Sequence, residues 1–327
     1  MNGKNYAAID LGTNNCRLLI AKPCGKTYQV IDSFSRIVRL GEGLSDGYQM
    51  DEKAIERTIE ALQICSKKIS ARGVIKTRAV ATEACRQASN TEQFYKKALQ
   101  ETGIELETLS PEQEAQLTLD GCSQLLDKSS APAIVFDIGG GSTEIMWVKK
   151  TNDEDTVMLG MLSLPIGVVS LSEQYANCAI EMDLYEEIID QVDQRLAPFD
   201  QEYGISHYLS LNKIQMLGTS GTVTTLGGIY LKLPRYNRSK VDGLDMCVDT
   251  ISAISAELVK MSHAERATNG CIGEKRAGLV VMGCAILEAI CRRWPIEKIR
   301  TADRGIREGL LKEIVRDNYK NLKKPTT

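Results

Sequence analysis

Ile55, Ile59, Leu62, Cys65 and Ile69 recur at three- and four-residue spacing, the single apolar stripe of a helix that stops near Gly73. The rhythm then changes. VIKTRAVA is rich in β-branched residues and predicts a strand, TEQFYKKALQETG predicts a helix closed by Gly103, and IELETL predicts another strand. The second half repeats the mixture, with an amphipathic helix from about Met182 to Leu196, a strand at KIQML and a glycine- and threonine-rich entry to a further helix, GTSGTVTTLGG. Strands and helices that take turns in this way predict an α/β fold.

Two stretches repeat each other. YAAIDLGTNNCRLLIAK and AIVFDIGGGSTEIMWVKK both run from an apolar strand through Asp-apolar-Gly and a small or polar turn into a second strand. Asp10 and Asp137 are equivalent, and the distance between them suits two duplicated domains better than a short-period solenoid. Ser142 to Val148 reads as a strand, so no helix follows the glycines. A Walker loop and a dinucleotide fingerprint both need one, and neither motif is present. Gly139, Gly140 and Gly141 therefore predict backbone in unusual dihedrals or backbone that something approaches closely. Gly218 to Gly221, leading into the threonine-rich helix, reads either as an anion site built from N–H groups and the helix dipole or as a plain helix entry.

A chain of 327 residues is long enough for two cores. Its 43% apolar content, 25% charged content and net charge of -3 give no global attraction to nucleic acid or membrane, so a polyanion would have to be met locally. No window approaches the roughly 20 apolar residues of a membrane span, and the start has no leader pattern, so a cytoplasmic address is expected. The ten cysteines lie singly, without a C-x-x-C pair, and there are two histidines. A metal here is expected to be a hard cation on carboxylate and phosphate oxygens.

The three glycine loops resemble the phosphate-gripping loops of the superfamily of actin, sugar kinases and heat-shock chaperones. IDLGTNNCRLLI, RIVRLGEGL, ATEACRQASN, SPEQEAQL, FDIGGGSTEI, GTSGTVTTL and GIREGLL then occur in the order seen in the exopolyphosphatase/guanosine pentaphosphate phosphohydrolase (Ppx/GppA) family. The chain is identified as resembling its short two-domain form, since it ends before the extra helical domain of the longer members. The resemblance implies two actin-like, ribonuclease H-like domains with a cleft between them, residues 1–126 and 127–305, with a helix over 306–327 packing back on the first. It implies a hydrolase that releases terminal orthophosphate from inorganic polyphosphate or, alternatively, converts pppGpp to ppGpp. An acceptor kinase of the same superfamily and a non-catalytic nucleotide sensor are the remaining readings, and a homodimer is left open. Asn15, Gln113, Gln116 and Gly278 depart from the family's usual Ser, Glu, Arg and Asp.

Hydrolysis of a terminal phosphoryl group needs donors on its oxygens, a cation and a positioned water. Backbone at Gly12, Gly139, Gly140 and Gly141 is expected to supply N–H donors, with Thr13, Asn14, Ser142 and Thr143 adding side chains. Gly218, Ser220, Gly221 and Thr222 form the second anion loop. By resemblance Arg86 grips phosphate, and Asp137, Glu144 and Asp10 are assigned to Mg²⁺ or Mn²⁺, although either Asp could instead brace its own turn. Ser110, Pro111 and Gln113 form a helix start with a capping box. Glu114 then falls in the first turn, on the stripe shared with Leu117, Thr118, Gly121 and Leu125. A carboxylate on a buried stripe at a cleft suits a base, and the family's water-activating Glu falls at this position. Arg17, Arg36 and Arg39, with Arg235, Arg238 and Lys240, are the local positive charge for a polyanion.

Overall fold

The computed structural model describes residues 4–128, 131–151, 155–176, 178–211 and 214–322. The chain divides into two compact units, Met1–Gly121 with Arg304–Thr327, and Cys122–Asp303.

The first unit is built on five strands, β1 (Asn5–Leu11), β2 (Asn15–Cys24), β3 (Thr27–Ile37), β4 (Val74–Ala81) and β5 (Glu107–Thr108), in the order β3-β2-β1-β4-β5. β1, β2 and β3 are antiparallel, while β4 runs parallel to β1 and β5 parallel to β4. Successive side chains of a strand point to opposite faces, and β1 is apolar on both. Ala7, Ile9 and Leu11 enter a core with α1 (Glu52–Ala71). Tyr6 and Ala8 enter another, with Leu310, Leu311 and Ile314 of the C-terminal helix. Between them in sequence lie α2 (Glu83–Gln87), α3 (Thr91–Thr102) and α4 (Pro111–Cys122). The helix α4 begins as its sequence dictates, with Gln113 Oε1 accepting from the Ser110 N–H at 2.9 Å and Ser110 Oγ accepting from the Gln113 N–H at 3.3 Å.

The second unit repeats this plan with β6 (Pro132–Ile138), β7 (Thr143–Lys150), β8 (Thr156–Leu164), β9 (Gln215–Thr219), β10 (Asp245–Cys247) and β11 (Lys298–Ala302), ordered β10-β11-β9-β6-β7-β8. Again the first three are antiparallel, and β9 lies parallel to β6. Its helices include α5 (Val168–Gln174), α6 (Met182–Tyr203), α7 (Gly221–Tyr230), α8 (Val248–Lys260) and α9 (Val280–Arg293). One continuous core joins the sheet to α6 and α9 through Phe136, Trp147, Tyr185, Ile188 and Trp294.

α10 (Ile306–Leu322) returns the chain to the first unit. It meets α4 so closely that a Cβ on Gly309 would lie 2.1 Å from the Leu117 carbonyl oxygen. Residues 323–327 of the expected terminal helix lie outside the described residues. Two expectations change in extent. IELETL pairs only at Glu107 and Thr108, because that edge reaches no further along β4. The helix begun at Met182 runs through Pro198 to Tyr203, held there by the Asp200 carboxylate, which accepts from Trp294 Nε1 and the Ser206 N–H, both at 2.8 Å.

Candidate functional site

The two Asp-Gly turns close with the same hydrogen bond. The Gly12 N–H donates to the Asn15 carbonyl and the Gly139 N–H to the Ser142 carbonyl, each at 2.9 Å. In the second unit the Gly139 and Gly140 carbonyls accept from the Val168 and Val169 N–H groups at the head of α5, at 3.0 and 2.8 Å. A trans peptide points its C=O and the following N–H in opposite directions, so the Gly140 and Gly141 amides face away from α5. In the first unit the Thr13 carbonyl accepts from Gly41 at 3.0 Å and the Asn14 carbonyl from Val38 at 2.9 Å. The Asn14 and Asn15 amides are turned outward by the same rule. Each turn is thus a small nest of N–H groups of the kind that receives an anion.

None of Gly12, Gly139, Gly140 and Gly141 has positive φ, so unusual dihedrals do not explain the cluster. Close approach accounts for Gly139, where a Cβ would lie 2.8 Å from the Ser142 carbonyl oxygen, whereas at Gly12 the nearest atom would be 3.8 Å away. A Cβ on Gly167 would stand 2.4 Å from the Gly140 carbonyl carbon and oxygen, so only bare backbone lets α5 seat against the turn.

The cross-strand neighbours of the two aspartates differ in charge. Asp137 lies directly opposite Glu144 on β7, whereas Asp10 lies directly opposite Arg17 on β2. Glu144 is 1% exposed and accepts from Ser163 Oγ at 3.0 Å. Two carboxylates on one face beside a nest suit Mg²⁺, which takes one or two carboxylates and completes its shell with water and phosphate oxygens. Among the described residues no cluster of three or more His, Cys, Asp or Glu side chains forms a ready cage. Burial raises the Asp10 pKa, Arg17 and Arg307 oppose it, Glu308 adds to it, and the net direction is up.

Glu114 is 7% exposed although it stands in the first turn of α4. Arg86 Nη1 donates to its Oε2 at 2.8 Å and to the Leu109 carbonyl at 2.9 Å, while Arg86 Nε donates to Glu83 Oε2 at 2.7 Å. Desolvation lowers the Arg86 pKa, but Glu114 and Glu83 outweigh it and the net direction is up. Arg86 thus bridges Glu83 and Glu114 and holds Glu114 in place, while its Nη2 has no hydrogen-bond partner among the described residues.

Several other expected donors have other partners. Thr143 Oγ1 donates to the Ile166 carbonyl at 2.7 Å and is fully buried. Gly218 is bare because a Cβ would fall 2.5 Å from the Phe136 ring. Ser220 Oγ itself accepts from the Thr222 and Val223 N–H groups at 3.1 and 3.2 Å, so this serine occupies the head of α7. It does so with φ 149, a region that costs a non-glycine residue roughly 1–3 kcal/mol. Thr222 packs against α9, where a Cβ on Gly283 would lie 2.1 Å from its Oγ1. Gly221 lies under Arg276, whose guanidinium carbon is 3.9 Å from the place a Gly221 Cβ would take. Arg238 reaches the Asp303 carboxylate at 3.6 Å and its backbone carbonyl.

Ser142 and Thr13 are buried at their turns, and Asn14 is 7% exposed with its Oδ1 unpartnered among the described residues. Sequence reasoning missed Arg276, which donates to Thr225 Oγ1 at 3.0 Å, because nothing in KRAG marks it as a neighbour of GTSGT. It also missed Glu83. The Arg17 and Glu144 contrast was available from the repeat alone.

Comparison with known proteins matches residues 19–318 to the Ppx/GppA phosphatase family. A guanosine-5'-triphosphate,3'-diphosphate pyrophosphatase of Aliivibrio fischeri is 27% identical over 308 residues, covering 93% of this chain and 58% of that protein. This chain thus spans less than two thirds of the length of such relatives. Among solved structures, a Ppx/GppA family member from Aquifex aeolicus is 26% identical with a TM-score of 0.76, covering 96% of this chain and 99% of that one. An exopolyphosphatase-like protein is 25% identical with a TM-score of 0.86, covering 97% and 99%.

Proposed function

The chain belongs to the Ppx/GppA phosphatase family, and from that premise we propose that it hydrolyses the terminal phosphoanhydride of pppGpp, releasing orthophosphate and ppGpp. The observation that carries the reading is the pair of matched Asp-Gly turns with outward amides, one of them backed by Asp137 and Glu144. Phosphoryl oxygens are the chemical match for outward amides of this kind, those of Asn14 and Asn15 in the first unit and, separately, those of Gly140 and Gly141 in the second. Glu114 orients a water and takes its proton as the water oxygen bonds to phosphorus. The bridging P–O bond breaks, and its electron pair leaves with ppGpp. Mg²⁺ held by Asp137 and Glu144 would supply charge neutralisation on the phosphoryl oxygens.

The nucleotide stands first because pyrophosphatases of that name recur among the relatives, at 26–27% identity. Terminal hydrolysis of inorganic polyphosphate is the second reading, supported by the similarity to an exopolyphosphatase-like structure. Phosphate release measured with Mg²⁺ on pppGpp and on polyphosphates of graded length tests both. Turnover of pppGpp at least tenfold faster than of any polyphosphate supports the first reading, the reverse supports the second, and phosphate transfer from ATP to an alcohol in place of water would overturn both.

A further inference from the structure

The catalytic reading above, on which this inference rests, leaves one partly buried acid without a task. Glu83 is the first residue of α2, and its side chain is 14% exposed. A helix of five residues offers only a weak dipole for an acid at its head. Both oxygens are instead used on named partners. Oε1 accepts from Gln87 Nε2 at 2.6 Å, and Oε2 accepts from Arg86 Nε at 2.7 Å. Arg86 Nη2 lies 2.5 Å from the same Oε2 yet is buried without hydrogen-bond geometry. Only Nη1 reaches Glu114, and it is shared with the Leu109 carbonyl.

A guanidinium facing a single carboxylate tends to clasp it with two parallel N–H groups. Such a clasp would hold Glu114 as a neutralised partner and cost it reactivity as a base. Glu83 prevents this by taking the Nε edge of the fork. We infer that Glu83 is a positioning residue for hydrolysis: anchored by Gln87, it turns Arg86 so that the guanidinium holds Glu114 by one N–H group in place of two. The chain of contact runs Gln87, Glu83, Arg86, Glu114, and every link lies within the first unit.

The test measures kcat and KM for pppGpp and for a short inorganic polyphosphate with Mg²⁺, in Glu83→Gln, Glu83→Asp, Glu114→Gln and the Glu83→Gln/Glu114→Gln double variant. Glu83→Gln is expected to lose about tenfold to a hundredfold in kcat with KM within about twofold, since no substrate contact is removed. Glu83→Asp, which restores the charge, should recover most of that loss. The double variant should be no slower than Glu114→Gln alone. Unchanged kcat in Glu83→Gln overturns the inference, as does a loss that Glu83→Asp fails to rescue and that tracks a fall in melting temperature. If Glu114→Gln is inactive while Glu83→Gln is normal, only this inference falls. Near-normal turnover in Glu114→Gln removes the base itself and the inference with it.

Discussion

Replacing Glu114 by Gln separates the chemistry of that carboxylate from its place in the fold. Gln is nearly isosteric and keeps an oxygen that can accept from Arg86, so the change removes a charge and a basic site while leaving a contact. The Arg86 and Glu114 pair is close, 2.8 Å between N and O, with side chains 16% and 9% exposed. Two unit charges about 4 Å apart interact by roughly 4 kcal/mol at an effective dielectric of 20. Most of that is offset by the desolvation the neutral side chain no longer suffers. Arg86 also keeps its ion pair with Glu83, so no buried charge is stranded. The expected net destabilisation is about 1–2 kcal/mol, a fall of a few degrees in melting temperature. Loss of a general base costs about 10²–10⁴ in rate, equivalent to roughly 3–5 kcal/mol on the barrier. Phosphate release and thermal unfolding measured on the same preparation therefore diverge, with activity falling far more than folded population at 25 °C. A kcat within tenfold of the parent refutes Glu114 as the base, and a melting point collapsed by 15 °C or more refutes the view that its role is chemical.

Asp137→Asn removes one of two opposed carboxylates, so without metal the variant should melt no lower than the parent, because like charges directly opposite on a sheet repel. Its Mg²⁺-dependent rise in melting temperature should shrink and its Mg²⁺ requirement for turnover should climb, and an unchanged metal titration would make Asp137 structural. Gly167→Ala drives a methyl into the Gly140 peptide and should cost about 1–3 kcal/mol of stability together with a loss in kcat; equal activity and stability would mean the turn yields freely. The Asp32 carboxyl is lowered to about 2, first by its hydrogen bond from Lys68 and also by Arg72, against desolvation. A depressed carboxyl stabilises the fold above its unfolded pKa of about 3.9, and that contribution is lost as pH falls through about 2. Asp32→Asn should therefore flatten stability against pH between about 4 and 2, as read by urea unfolding at each pH, and a parallel slope in the variant would exclude the ion pairs as its source.

Local rules were enough for much of the architecture. The stripe from Ile55 to Ile69, the αL closure of α3 at Gly103 and the capping box at Ser110 and Gln113 are decided within a few residues by periodicity and cap chemistry. The same locality failed where distant partners intervene. The amphipathic pattern from Met182 ends at about Leu196, yet Trp294 and Ser206, brought together by folding, bind Asp200, and the helix runs on to Tyr203.

What the linear chain settled was the repeated Asp-Gly turn, its strand-turn-strand setting and the buried stripe that carries Glu114, since each depends on neighbours a few positions away. Tertiary structure alone decided what these groups touch. It placed Arg86 between Glu83 and Glu114, gave the Thr143 hydroxyl to Ile166, seated Ser220 on the head of α7 and set Arg276 above Gly221. Hydrogen bonds and charge pairs act over about 3 Å between residues far apart in sequence, and only the packing of the sheets and helices determines which of them come within that reach.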